Sequence, residues 1–454
     1  MKKYKTKGFK YTLFSIAILS VGVLIWSCTE KEAFRDGSEM NRQEQWIADL
    51  NFFENNYIPN SKTFSKDSIL ACQTLLDSLR KNVDGLSDNQ IILGLSKAVA
   101  MANNGHTTIH LSEMNKIPVR FYWFADGLYI IKTDKASMKH LGSKVLEINS
   151  VGLERVYKKM KPHLSGIEGF KKFTASNYLN SPEILNGLGM ANTDSLELTL
   201  LKENDTIIAN FGTKKMPNTK YEYETWADLF PSSAETDSWS HVLGQSESLP
   251  LYLENMERGV SYSFMDTEKV AYFSINALWY NCEDFEGTID EFIDTLKLKR
   301  DYNVILDLRY YTGGNFLIPT KLATEPPEII DEDKKIYLIT SSKTFSAGLV
   351  TAARIKYFAK EKIVVVGEKV GDNLKFWAEG EYYKLPYSGI KIQDSKYEHD
   401  WADDSFTLGR TFWVNAFYGV AAKDLEVDEK IPVSFEAYKN YRDPILEWIL
   451  EHKK

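Results

Sequence analysis

The stretch TSSKTFSAGLVTAARIKYFAK, Thr340 to Lys360, decides the fold. An apolar run, Lys335–Thr340, passes through small and hydroxylated residues into a segment, Ser346–Ala359, whose spacing predicts a helix. The same alternation recurs on either side. Strands are expected at Val270–Ile275, Asn303–Leu308 and Lys362–Gly367, with helices over Cys282–Lys299 and Asn315–Ala323. Short apolar strands separated by helices imply βαβ crossovers and a largely parallel sheet covered on both faces, hence an α/β core. In such sheets active sites gather where strands end and helices begin. Ser346 and the pair Gly313-Gly314 both fall on that kind of junction.

Ser346 has two readings. A serine at a helix start accepts backbone N–H bonds as a cap, which stabilises by about 1 kcal/mol. A serine on a strand-to-helix turn is also well placed as a nucleophile. The helix N-terminus favours developing negative charge, and the following amide can receive an oxyanion. The small neighbours Ala347 and Gly348 allow close approach to the backbone. In LDLRYYTGGN, residues 306–315, the paired glycines serve either as a tight turn or as a second oxyanion donor. Asp307 and Arg309 read as a structural ion pair. A serine nucleophile needs a base. Of seven histidines, His106 follows Asn104-Gly105 at the edge of an extended segment, where a side chain can face a cleft.

Upstream of the core the pattern changes. Residues 43–112 read as a helical region, with Ser87-Asp88 capping a helix over Ile91–Met101 and an extended run at Thr107–Leu111. Residues 113–205 read as a small β-rich module with one helix. Its strands are expected at Phe121–Phe124, Leu128–Thr133 and Lys144–Asn149, and its helix at Leu153–Met160. Residues 206–265 read as linker and irregular chain, and 266–454 as the catalytic core.

The 454 residues are 43% hydrophobic and 26% charged, as in an ordinary globular protein. Five lysines precede an uncharged stretch, Tyr11–Trp26, which describes an export signal and is short for a membrane span. Leu24-Ile25-Trp26-Ser27-Cys28 resembles a bacterial lipoprotein box, with Cys28 as the lipidated residue. Residues 1–28 are thus expected to be a signal peptide with its lipidation site, and 29–42 a tether. The protein is expected to be exported and lipid-anchored to a cell-envelope membrane. Removing residues 1–27 takes the formal charge from −8 to −13, which argues against nucleic acid as a partner. Cys72 and Cys282 are expected to be free. No CxxC, HExxH or phosphate-cradling loop is present, so no metal or cofactor is expected.

Several of these motifs resemble the tail-specific proteases, or C-terminal processing peptidases, and their tricorn-core relatives. LDLRYYTGGN at 306–315, SSKTFSAG at 341–348 and VGEKVGDN at 366–373 stand in that family's order. GHT at 105–107 resembles its early glycine-histidine element. DGLYI and LGSKVLEINSVGLERV resemble parts of its PDZ-like module, while YKLPYSGIKI at 383–392 and DPILEWIL at 443–450 match later parts. The resemblance implies a ClpP/crotonase-like core beside a PDZ-like module. It implies Ser346 as nucleophile and Ala347 with Gly313 or Gly314 as oxyanion donors. The place where one branch carries a lysine base holds Asn373, with Lys375 two residues on. The tricorn-like branch uses a histidine, and His106 fits it. Asp403, Asp404, Glu368 and Glu426 are candidates for the acid that orients the imidazole. The expected function is a membrane-tethered serine endopeptidase acting on proteins or peptides outside the cytoplasm. The alternative is an inactive protease fold that binds peptides or glycans at the surface.

Overall fold

The computed structural model describes residues 40–111, 114–214, 229–231, 239–244, 249–254, 256–276 and 284–453. The expected signal peptide, Cys28, most of the tether and Cys282 lie outside the described residues. Cys72 is free and buried.

The region 266–454, expected from the sequence as the catalytic core, is built on a six-stranded sheet in the order Glu429–Lys430, Ile363–Gly367, Ile336–Thr340, Asn303–Asp307, Val270–Ile275 and Val260–Met265. All pairings are parallel except that of the last strand, which is antiparallel. Every residue of Val270–Ile275, Asn303–Asp307 and Ile336–Thr340 is buried, as expected where both faces are covered. Alternate residues serve opposite faces. Ala271, Phe273, Leu306 and Leu338 pack against the helices Phe285–Lys297 and Ala347–Ala359. Tyr272, Ile305, Tyr337 and Ile339 face Ile445 and Ile449 of the closing helix, Pro444–His452. That helix is tied to the sheet by Arg309, which pairs with Asp307 and with the capping residue Asp443, both at 2.8 Å. The expected helix over Asn315–Ala323 is instead two short pieces, Thr320–Thr324 and Pro326–Ile329. Pro319 and Pro326 lack the N–H that a continuous helix needs at those positions.

The second sheet runs Val119–Phe124, Gly127–Asp134, Lys144–Ile148, Ser195–Lys202 and Asp205–Gly212. It continues through its last hairpin past residue 205, and Trp239–His241 returns to pair with Gly127–Asp134. The helices Leu153–Met160 and Glu168–Tyr178 lie between its strands in the chain. Its core is continuous with that of the N-terminal helices Lys66–Lys81 and Asp88–Ala100. Ser87 and Gln90 complete a capping box at the start of the latter.

A third sheet was not legible from periodicity. Lys375–Lys384 and Lys391–Asp400 form a hairpin, to which Thr108–Ile109 adds as an antiparallel third strand, Thr108 opposite Gln393. This pairing carries the segment with His106 to the chain that follows the serine turn.

Candidate active site

Ser346 does not cap its helix. Its backbone adopts φ 52°, ψ −120°, and its side chain makes no capping hydrogen bond. A non-glycine residue with this conformation costs on the order of 1–3 kcal/mol and persists only where its surroundings impose it. The surroundings here are hydroxyls and carbonyls of two adjoining loops. Thr344 Oγ1 accepts from Ser341 N–H (2.9 Å) and donates to the carbonyl of Leu308 (2.8 Å). Ser341 Oγ donates to the carbonyl of Arg309, and Phe345 N–H donates to that of Tyr311 at 3.2 Å. A Cβ on Gly348 would stand 1.9 Å from the Tyr311 oxygen, so only glycine admits this contact. The turn bearing Ser346 and Ala347 is thereby locked to the loop that continues into Gly313 and Gly314, the latter at φ 120°. Ala347 opens the helix Ala347–Ala359, where the first amides have no intrahelical acceptor.

His106 arrives from the other side. Asn104 fixes its loop, accepting from Trp377 N–H and donating to the Trp377 carbonyl, each at 3.0 Å. Gly105 lets the chain pass close by. A Cβ there would lie 2.7 Å from the Phe345 ring and 3.1 Å from Asp372 Oδ2. The imidazole stacks between Phe345 (centroids 4.4 Å apart) and Phe376 (5.1 Å). Those contacts belong to a longer column in which Phe170 continues from Phe345, and His399 and Phe412 continue from Phe376. The His106 side chain is 10% exposed, and neither ring nitrogen has a hydrogen-bond partner, Ser346 included. Burial, aided by His399, lowers its pKa to about 3, so the ring is neutral at physiological pH.

The carboxyl beside this imidazole is that of Asp372, whose Oδ2 lies 3.7 Å from Nδ1. Burial raises its pKa to about 7, against the opposing N–H that Asn373 donates to Oδ1 at 2.8 Å. The acids expected from the sequence stand elsewhere. Asp403 pairs with Lys375 (2.9 Å) and Lys423, and Glu426 lies 4.0 Å from Lys369. Asp404, at φ 56°, has its pKa raised by burial and by Asp400. Glu368 donates its backbone N–H to the Thr340 carbonyl, and its side chain lines a neighbouring cavity. Lys375 is engaged with Asp400 at 3.1 Å as well as with Asp403. Sequence reasoning passed over Asp372 because it looked for a lysine in that turn. The signal was available, since an acid in a glycine turn directly after the strand Ile363–Gly367 belongs to the edge where the other junctions gather. Among the described residues no group of three or more His, Cys, Asp and Glu could hold a metal ion.

No family model matches the sequence, and no curated protein does. Solved structures do match. Mature CPAF complexed with lactacystin is 13% identical, with a TM-score of 0.56, over 90% of this chain and 97% of its own. A CPAF mutant is 12% identical, with a TM-score of 0.58, over 91% of this chain and 98% of its own. The photosystem II D1 C-terminal processing protease matches over 88% of this chain at 10% identity, with a TM-score of 0.35 that is too low to add to the comparison. At these identities the likeness is one of fold. The mixed α/β architecture expected from the motifs is the one found, shared with CPAF across nine-tenths of the chain.

Proposed function

We propose that the protein is a serine peptidase that cleaves protein or peptide substrates through an acyl-enzyme on Ser346. One observation carries the reading: Ser346 is held at φ 52° on a strand-to-helix turn, where its hydroxyl caps nothing. Such a turn lifts the side chain clear of the backbone in the manner of a nucleophile elbow. In the proposed step His106 Nε2 takes the hydroxyl proton as Oγ attacks the scissile carbonyl. The amides of Ala347 and of Gly313 or Gly314 receive the oxyanion. Collapse expels the amine, which leaves with the imidazolium proton, and water then hydrolyses the ester. Asp372, with Oδ2 3.7 Å from Nδ1, stabilises the imidazolium once it forms, the role for which Asp403, Asp404, Glu368 and Glu426 were the candidates in the sequence. The Nε2–Oγ bond closes on substrate binding, by a shift of the ring or of the serine rotamer. The basic and apolar segment before Cys28 supports an exported protein, tethered to the cell envelope by lipid on that cysteine.

The sandwiched imidazole, with both nitrogens unpartnered, favours a second reading in which the fold binds peptides without cutting them. A fluorophosphonate probe separates the two. The wild-type chain should be labelled and should cleave an unfolded protein substrate. Ser346→Ala should lose labelling and at least about 1,000-fold in rate. An unlabelled, inactive wild-type chain would leave the binding reading in place.

A further inference from the structure

The loop bearing Gly313 and Gly314 is anchored to one helix on both sides of the glycine pair. On the near side the carbonyl of Tyr311 accepts from Phe345 N–H at 3.2 Å and rests against Gly348. On the far side the carbonyl of Phe316 accepts from Arg354 Nη1 at 3.0 Å. Gly348 and Arg354 both belong to the helix Ala347–Ala359, about 9 Å apart along its axis. Glycine populates both signs of φ, so the direction in which a glycine pair aims its amides depends on what fixes the chain on either side.

The far anchor is a costly one. Arg354 is 1% exposed, and among the described residues it enters no ion pair. Its guanidinium lies 4.6 Å from the centroid of the Tyr418 ring, and its Nε has no hydrogen-bond partner. Burial lowers its pKa, with Tyr418 and Tyr311 opposing the fall. Arginine nevertheless stays charged at any working pH. A π-face replaces only part of the water that a buried cation loses. A well-packed apolar side chain of similar volume would be at least as stable at such a position. The residue that Arg354 holds also touches the other half of the site. The Phe316 ring stands edge-on to His399 (6.3 Å) and Phe412 (6.4 Å), members of the column that holds His106. The Arg354–Phe316 bond thus joins the serine helix, the glycine loop and the ring column.

We propose that Arg354 is a positioning residue for the cleavage reaction: through the Phe316 carbonyl it holds the Gly313-Gly314 loop where its amide meets the oxyanion. This role rests on the peptidase reading and is tested beside it. Full-length wild type, Arg354→Met and Arg354→Lys are compared for fluorophosphonate labelling, for cleavage of an unfolded protein substrate and for urea midpoint. Arg354→Met should label to the same final extent as wild type. Its kcat should fall about 100-fold with KM within about twofold, because a displaced amide is missed in the transition state and not in the bound substrate. Its urea midpoint should hold or rise, since an uncompensated buried charge is gone. A bond that served only the fold would lower the midpoint instead. Arg354→Lys keeps the charge but lacks the planar fork that spans Tyr418 and Phe316, and should lose about tenfold in kcat. That variant carries the test if the methionine chain does not fold. Wild-type kcat in either variant would overturn the proposal and leave the peptidase reading intact. So would a loss that follows a smaller labelled fraction, a raised KM or a lowered midpoint. A wild-type chain that is neither labelled nor active would end both.

Discussion

Ser346 and His106 belong to the same candidate site but are held in opposite ways. The conformation of Ser346 is imposed by bonds between the turn at 341–346 and the loop at 308–311, two successive strand ends of one sheet. The position of His106 comes from a column of rings drawn from residues 170, 345, 376, 399 and 412, and from the strand added at Thr108. The first arrangement stores backbone strain in a place ready for chemistry. The second stabilises the ring by packing and leaves its nitrogens without partners. On the proposed mechanism, the nucleophile is pre-formed by local topology, while its base is stabilised as a core residue until substrate arrives.

His106→Phe breaks that comparison most sharply, because it keeps the column and removes the base. Activity should fall about 1,000-fold, in the middle of the range for losing a general base. Stability should rise by about 1 kcal/mol or more, since two buried nitrogens without partners disappear. Peptidase rate and urea midpoint check the two halves. A variant as active as wild type would remove His106 from the mechanism, and Lys375→Ala would then test the lysine.

Asp372→Asn sharpens the comparison through pH. The folded pKa of Asp372 is raised from about 3.8 to about 7. The stability this group contributes is therefore present below pH 3.8 and lost as pH rises through 7. That of His106 is lowered from 6.5 to about 3, so its contribution is present above 6.5 and lost as pH falls through 3. If ionised Asp372 stabilises the imidazolium, wild-type activity rises through about pH 7. Asp372→Asn should flatten that limb and lower the rate roughly 100-fold, while gaining stability at pH 7.5 relative to pH 4.5. An unchanged pH–rate profile would show that the carboxyl beside the ring has no part in the reaction.

The same contrast explains what the sequence could show. Strands such as Val270–Ile275 were legible because burial on both faces makes a continuous apolar run, and Ser346 because it stands where such a run meets a helix. His106 was legible only through Asn104-Gly105 and the family resemblance. Its neighbours come from distant segments, and stacking leaves no periodic signature. The hairpin Lys375–Lys384 with Lys391–Asp400 was missed because polar and charged residues alternate with buried ones at an irregular register, with slips around Glu379. Asp372 stands in a legible glycine turn, yet nothing local marks what faces it. Its role depends on what Gly105 allows to approach, and Gly105 lies 267 positions earlier in the chain.

The smallest expected effect tests the premise on which the comparison rests. If the backbone at Ser346 is strained, Ser346→Gly should remove the penalty of a positive φ without changing the turn. Glycine also enlarges the entropy of the unfolded chain, which offsets part of the gain. Ser346→Ala loses the hydroxyl but keeps the Cβ and its strain. The difference between the two variants isolates the conformational term, with glycine the more stable by about 1 kcal/mol. Urea unfolding of both proteins, each inactive, measures it free of any effect on catalysis. A glycine variant no more stable than the alanine variant would mean that the turn relaxes around Ser346. Its hydroxyl would then have to be positioned by substrate, as the imidazole is, and the two halves of the site would no longer differ.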